Sequence, residues 1–304
     1  MRACCLKIDV DTHEGMRDGV PRLLDALARA GLKATFFLSF GPDNAGKAIW
    51  NVLRKRGFLR KMLRTGAPSL YGWRTVLSGT LLPARPIAAA MPELVRRIEA
   101  EGHEVGVHAW DHRLWQDHLR GLRREQVAEQ VSRACGAFED ILGRRPRSMA
   151  APAWYATSVS LELQDARGLL YASDSRGGAP GFPVLDGYAS STLQIPTTQP
   201  CLEELLTLGE RDLERCLDQV LAPGPELEPE QALVLPLHAE VEGGVYADFC
   251  AKLLGRIAAS GAPVLTLEQH AEALLGRDPA PPRVPARQLE LAGRSGEVLT
   301  LAAA

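Results

Sequence analysis

The chain has no acidic residue between Asn44 and Pro92, although Asp and Glu number 37 in its 304 residues. Nine basic residues fall in that stretch: Lys47, Arg54, Lys55, Arg56, Arg60, Lys61, Arg64, Arg74 and Arg85. The net charge of −2 therefore hides a division, because the rest of the chain holds 26 basic residues against all 37 acidic ones, a balance of −11. A basic segment inside an acidic protein suits a local anionic partner. No nucleic-acid recognition motif accompanies it, so a nucleic-acid role is not expected. No apolar run approaches the roughly 18 residues needed to cross a bilayer. The opening residues, Met1 to Asp9, lack an apolar leader, so no signal peptide is expected. The six cysteines (4, 5, 135, 201, 216 and 250) show no CxxC spacing. That argues against a disulfide framework or a zinc ribbon and for free thiols in a reducing cytoplasm. The first strand-like run is followed by no glycine-rich turn, which disfavours a dinucleotide fold.

Hydrophobic residues make up 46% of the chain and charged residues 24%, enough for one barrel-sized globular domain. Strand-like and helix-like segments alternate. Cys4 to Val10, Lys33 to Phe40, His103 to His108, Arg147 to Ala151, Leu169 to Ser173, Thr192 to Ile195, Ala232 to Leu237 and Pro263 to Leu267 read as strands. Between them, runs such as Val20, Leu23, Leu24 and Leu27, or Val127, Val131, Ala134 and Phe138, recur at helical spacing. This pattern predicts an α/β fold with a parallel sheet of seven or eight strands, closed or nearly closed into a barrel. A doubly wound open sheet is the second choice. The residues from Arg277 onward are proline-rich and are expected to wrap the surface or to be partly mobile.

The chemistry gathers at the strand ends. Asp9-Val-Asp11 ends the first strand, with the two carboxylates on one side of an extended chain. His108-Ala-Trp-Asp-His112 ends the third, and its two imidazoles, four apart, can meet one metal ion. Asp174 and His238 each follow a later strand directly. In a parallel barrel these ends face one mouth, so distant residues converge. With Asp11, His108 and His112 as ligands, Asp9 is free to take a proton from water, and His238, charged beside a carboxylate such as Asp174, can donate to a leaving amine. That layout suits amide or ester hydrolysis. Two rival readings fit less well. A two-histidine, one-carboxylate iron oxygenase leaves Asp9, Asp174 and His238 without work. Histidines that are merely hydrogen-bonded in the core leave the Asp9–Asp11 pair unexplained. His103, His118 and His270 are read as structural or solvated.

These residues resemble the polysaccharide deacetylase (NodB-like) family of metal-dependent amidohydrolases: a paired-Asp motif at Asp9 and Asp11, a His-x-x-x-His motif at His108 and His112, an Asp motif at Asp174, and Leu237-His238. The resemblance implies a distorted (β/α) barrel of about seven parallel strands over residues 1–276; the basic stretch at about 44–92 reads as a helical insertion and 277–304 as a tail. It implies Asp9 as base, Asp11, His108 and His112 as ligands of one divalent metal (Zn, Mn or Co), His238 as acid and Asp174 as its orienting partner. Within the family, the blocks Ile8 to Thr12, Gly19 to Leu24, Gly41 to Asn44, Ser69 to Trp73, His103 to His112, Ser173 to Gly177 and His238 to Gly243 resemble a particular branch. Its members remove formyl from 4-deoxy-4-formamido-L-arabinose carried on undecaprenyl phosphate, a step in lipid A modification and resistance to cationic peptides such as polymyxin. The alternatives are a deacetylase of other N-acyl sugars and a non-catalytic binder of the lipid-linked sugar. One departure stands out. The family pairs its base Asp with an Arg, and Tyr155 stands where that Arg is expected; Arg147 and Arg176 are the candidate substitutes. Trp154, Tyr155 and Arg176 are the expected substrate contacts.

A lipid-linked substrate would also explain the basic segment. Ile49, Trp50, Leu53, Leu59, Met62 and Leu63 recur at helical spacing, with Arg54, Lys55, Lys61 and Arg64 between them. Trp50, Phe58 and Leu59 with flanking Arg54, Lys55 and Lys61 read as interfacial helices on anionic lipid, placing the protein peripherally at the cytoplasmic face of the inner membrane. An ordinary subdomain packed on the barrel is the alternative.

Overall fold

The computed structural model describes residues 2–47, 75, 77–224, 227 and 231–302. Trp50, Arg54, Lys55, Phe58, Leu59 and Lys61 lie outside the described residues, as does the Ser69 to Trp73 block. No described helix is long and apolar enough to cross a membrane.

The strands are β1 (Cys4–Val10), β2 (Thr35–Ser39), β3 (Glu104–Ala109), β4 (Ser148–Met149), β5 (Tyr171–Ala172), β6 (Ser175–Arg176), β7 (Phe182–Leu185), β8 (Tyr188–Ala189), β9 (Leu193–Gln194), β10 (Leu233–His238), β11 (Val264–Leu265), β12 (Arg283–Glu290) and β13 (Glu297–Leu301). The helices are α1 (Val20–Ala30), α2 (Pro92–Ala100), α3 (His112–His118), α4 (Arg124–Leu142), α5 (Ser158–Arg167), α6 (Leu202–Leu208), α7 (Leu213–Leu221), α8 (Ala247–Ser260) and α9 (Leu267–Leu275).

The main sheet runs β10-β1-β2-β3-β4-β5-β9, every neighbouring pair parallel, with short β11 beside β1. This is the α/β barrel of about seven parallel strands that the alternating pattern predicts. β1 shows why it forms. Leu6, Ile8 and Val10 join the core that the helices cover, while Cys5 joins a second cluster with Phe37, Tyr171 and Val234. A strand buried on both faces belongs in a covered parallel sheet. Each fully buried Leu, Ile or Phe adds roughly 1.5–3 kcal/mol. The helices that cover the outer face show the expected stripe: α1 buries Val20, Leu23, Leu24 and Leu27, opens with Pro21 and stops at Gly31 in a left-handed conformation. The seam between β9 and β10 closes without strand pairing. The N–H groups of Thr198 and Gln199 both donate to the Val234 carbonyl at 3.2 Å, and the Val234 N–H donates to the Thr198 hydroxyl at 2.8 Å.

A second sheet, β6-β13-β12-β7-β8, flanks the mouth. Residues 283–301, expected as a surface tail, form its antiparallel pair β12–β13. Val284, Val298, Leu299 and Leu301 are buried there, and the turn between the two strands carries Arg294 to the mouth of the main barrel.

Candidate active site

Strand period and register assemble the site. Lys7 and Asp9 are two apart on β1 and so share a face; Asp9 lies opposite His238 of β10 and Phe37 of β2. The pairing of β2 with β3 skips one residue: Leu38 faces Val107, whereas Ser39 faces Ala109. The extra residue is His108. Such bulges re-aim a side chain at a strand end. His112 follows on the first turn of α3, whose N-cap, Asp111, accepts from the Leu114 N–H at 3.0 Å and from the Asn44 side chain at 2.7 Å. Asp111 therefore holds the helix start, leaving His108 and His112 to face Asp11.

The His108 Nε2 lies 3.2 Å from one Asp11 oxygen and the His112 Nε2 lies 3.2 Å from the other. These three residues form one group able to hold a metal ion; the other in the described residues is Cys201, Glu203 and His238. Two donors on a tetrahedral zinc, each about 2.0–2.1 Å from the ion, sit about 3.3 Å apart, so the Asp11 triad fits. Its buried His108 Nδ1 and one Asp11 oxygen also have no hydrogen-bond partner among the described residues. Burial opposes the Asp11 charge, yet the His112 and His108 imidazoles hold its carboxyl well below the usual range.

His238 sits across the mouth. Its Nδ1 is 2.9 Å from the Glu203 carboxylate. Burial works against the charged ring, but Glu203, with Asp11 and Asp9 beyond it, keeps its pKa well above the ordinary value. Its backbone N–H donates to Glu242 at 2.7 Å, and burial, with Glu203 adding, pushes the Glu242 carboxyl up to about 8. The loop carrying Glu240 and Glu242 packs backbone to backbone on the turn at Gly15–Gly19: a Cβ on Gly19 would come within 2.0 Å of the Ala239 carbonyl oxygen, and one on Gly243 within 2.6 Å of the Gly19 backbone. Only glycine permits that approach.

Asp174 does not serve His238. It is fully buried, and its oxygens accept from the Ala151 N–H at 2.6 Å, the Gln164 side chain at 2.8 Å and the Gln194 side chain at 2.9 Å. It therefore anchors the Ala151–Trp154 loop, and Glu203 takes the place expected for it beside His238. Glu203 lies in α6, not at a strand end, so strand-end reasoning passes over it.

Trp154 is 2% exposed, with backbone φ of 52°. Its ring meets His238 edge-on at 6.3 Å and is flanked by the guanidinium groups of Arg176 at 4.7 Å and Arg294 at 4.4 Å. Arg176 is buried on Glu204, at 2.6 and 3.1 Å, and Arg294 reaches the same carboxylate at 3.1 Å. Arg147 lies on Glu268 and Glu272. The Tyr155 hydroxyl is influenced by Arg120, Glu297 and Asp186. Neither Arg147 nor Arg176 thus pairs with Asp9. The cation that does is Lys7, whose Nζ bonds Asp9 Oδ2. All six cysteines are free and buried.

Residues 8–172, which span this sheet from β1 to β5, match the model of the polysaccharide deacetylase family. The chain belongs to that family. Within it, the chain is 36% identical, over 82% of its length and 79% of the relative's, to a protein of Shewanella sediminis (strain HAW-EB3) named probable 4-deoxy-4-formamido-L-arabinose-phosphoundecaprenol deformylase ArnD. It is 30% identical to the protein of the same name from Wigglesworthia glossinidia brevipalpis, over 64% of this chain and 68% of that one. In fold it resembles a Mycobacterium smegmatis protein assigned to the polysaccharide deacetylases, with a TM-score of 0.64 at 19% identity, covering 95% of this chain and 94% of that one. It also resembles the peptidoglycan deacetylase PdaC of Bacillus subtilis, with a TM-score of 0.51 at 16% identity, covering 90% and 92%.

Proposed function

We propose that this protein is a metal-dependent hydrolase that removes the formyl group from 4-deoxy-4-formamido-L-arabinose carried on undecaprenyl phosphate. The observation that carries the substrate is the 36% identity, across most of both chains, to the deformylase of Shewanella sediminis. The chemistry rests on the mouth. Asp11, His108 and His112 would hold one divalent ion, Zn, Mn or Co, which supplies Lewis acidity to a carbonyl and to water. Asp9 takes a proton from the attacking water as the new C–O bond forms at the formyl carbon. His238, kept protonated by Glu203, gives its proton to the sugar nitrogen as the C–N bond breaks. The products are formate and the 4-amino sugar. That amine, once on lipid A, lowers its negative charge and weakens the binding of cationic peptides such as polymyxin.

Trp154, Arg176 and Arg294 form the wall beside His238 against which the sugar would rest. The basic, acid-free stretch from 44 to 92 would lie on anionic lipid at the cytoplasmic face of the inner membrane and present the mouth to the lipid-linked sugar. Vesicle flotation tests that placement: wild type is expected to float with anionic vesicles, and a variant with Trp50, Phe58 and Leu59 made polar is not. Equal flotation ends the idea. The substrate is tested by offering matched N-formyl and N-acetyl arabinose lipids. Formate release should exceed acetate release at least tenfold; the reverse ratio would make the protein a deacetylase, and tight binding with no release would make it a binder.

A further inference from the structure

Lys7 is an unusual residue to find in the middle of a barrel strand. It is fully buried, and charged side chains are almost never so placed unless paired. Its partner is Asp9, two residues on along the same face of β1. The surroundings leave the ammonium little choice. Its Nζ is 5.4 Å from the centre of the Phe37 ring and 5.1 Å from that of Trp154, an aromatic sleeve that favours a cation. A second carboxylate that feels its charge, Asp174, already accepts three hydrogen bonds from Ala151, Gln164 and Gln194.

We propose that Lys7 is the positioning residue of the base: it stands in for the arginine that the family uses and holds Asp9 by one oxygen so that the other faces the water to be deprotonated. This rests on the hydrolytic reading above for the role of Asp9. Three observations converge on it. Asp9 Oδ2 is bonded to Lys7, while Asp9 Oδ1 is buried with no hydrogen-bond partner among the described residues. One oxygen is therefore fixed, and the other keeps its lone pairs unmet. The candidates for the missing arginine are committed elsewhere, Arg147 to Glu268 and Glu272 and Arg176 to Glu204. Finally, the loop that would carry the arginine instead carries Trp154, which bends back through a left-handed backbone conformation and lays its ring beside the Lys7 ammonium. The cation beside the base thus sits on the strand, and the Trp154 ring of the loop lies beside it. A strand position is the stiffer mount, because its side-chain direction is set by the sheet register.

The test uses the full-length protein, with Lys7→Met, Lys7→Arg, Asp9→Asn and the Lys7→Met/Asp9→Asn pair. Four quantities are read: kcat and KM on the formyl-arabinose lipid, zinc affinity by calorimetry, and thermal midpoint. Lys7→Met should lower kcat by about 100-fold, in the range for a displaced acid–base group, with KM and zinc affinity within about twofold of wild type. Lys7→Arg should recover most of the loss. In the Asp9→Asn background, Lys7→Met should change kcat less than threefold, because the lysine acts only through Asp9. Unchanged kcat in Lys7→Met overturns the proposal. So does an equal loss in both backgrounds, or a loss of zinc affinity that parallels the loss of kcat.

Thermal midpoints separate this proposal from the substrate reading. If wild type releases no formate, that reading fails, and the pairing of Lys7 with Asp9 is then judged by coupling alone. The double variant should melt closer to wild type than the sum of the two single variants, since removing both charges leaves neither one stranded. Additive midpoints overturn the pairing. If Lys7→Met does not fold, the Lys7→Arg variant and the charge-free double variant carry the same comparison.

Discussion

The two ends of the barrel treat their buried carboxylates in opposite ways. At the amino end, Glu104 is saturated. One oxygen accepts from Ser148 at 2.8 Å and Tyr171 at 2.6 Å; the other accepts from Thr35 at 2.7 Å and the Glu268 N–H at 2.9 Å. At the carboxyl end, Asp9, Asp11, Glu203, Glu240 and Glu242 each keep one buried oxygen without a hydrogen-bond partner among the described residues. A buried polar group left unpaired costs about 1–3 kcal/mol, more if charged. Five such carboxylate oxygens gather at the mouth, whereas both oxygens of Glu104 are fully bonded. Glu104 belongs to the floor of the barrel and the other five carboxylates to its mouth.

The sharpest way to break this contrast is to remove one group at a time from the mouth. Asp11→Ala should abolish metal binding and turnover together. Asp9→Asn should keep metal affinity within a fewfold and lower kcat by about 1,000-fold, toward the upper part of the range for general-base catalysis; calorimetry and formate release measure the two. Full activity in Asp9→Asn would remove it from the role of base. The floor should answer in the other currency. Glu104→Ala strands three hydroxyl groups and a backbone N–H, and should cost about 3–5 kcal/mol in urea unfolding. Below its melting range it should keep kcat within about twofold.

Within the mouth, Glu203 and Asp174 should respond differently to the loss of their charge. Because Glu203 raises the His238 pKa and burial lowers it, Glu203→Gln should draw the alkaline limb of the kcat–pH profile to lower pH: the acid form is present below its pKa and is lost as pH rises through it. The accompanying loss in kcat should be about 100-fold. Asp174→Asn should leave that limb where it is, since its contacts are with Ala151, Gln164 and Gln194. A limb that moves with Asp174 and not with Glu203 would reverse the assignment. The smallest expected effect belongs to the scaffold. Burial, with lesser influence from Lys33 and Arg277 respectively, lowers the pKa of His103 and of His270 to about 4. Each therefore adds stability that is fully present above about pH 6.5 and is lost as pH falls toward 4. At pH 5 the loss should be about 2 kcal/mol per residue. Urea unfolding at pH 7 and pH 5 measures it, and His270→Gln should flatten the dependence.

Much of this was legible in the chain. The alternation of strand and helix located the barrel, and the rule that strand ends face one mouth collected Asp9, Asp11, His108 and His238. Both follow from local periodicity, which a sequence carries openly. The partners of those groups were less visible because they depend on three-dimensional neighbours. Glu203 reads as one of two acidic residues opening a short helix, and nothing local distinguishes it from Glu204, which instead binds Arg176 and Arg294. Lys7 did leave a trace: a charged residue in an otherwise apolar run, in phase with Asp9. The last strands were hidden by Pro279, Pro281, Pro282 and Pro285, which suggest a loose tail, although the alternation of Val284, Ala286 and Gln288 is that of a strand. Arg294 reaches Trp154 only because β12 and β13 pair.

We propose that the mouth is a metal-assisted deformylase site. The most direct test is formate release from undecaprenyl-phosphate-linked formamido-arabinose by the purified protein, before and after chelation and after re-addition of zinc, manganese or cobalt. Release that disappears with the chelator and returns with at least one of the ions is the predicted result. Formate release that continues unchanged in the metal-free protein would contradict it.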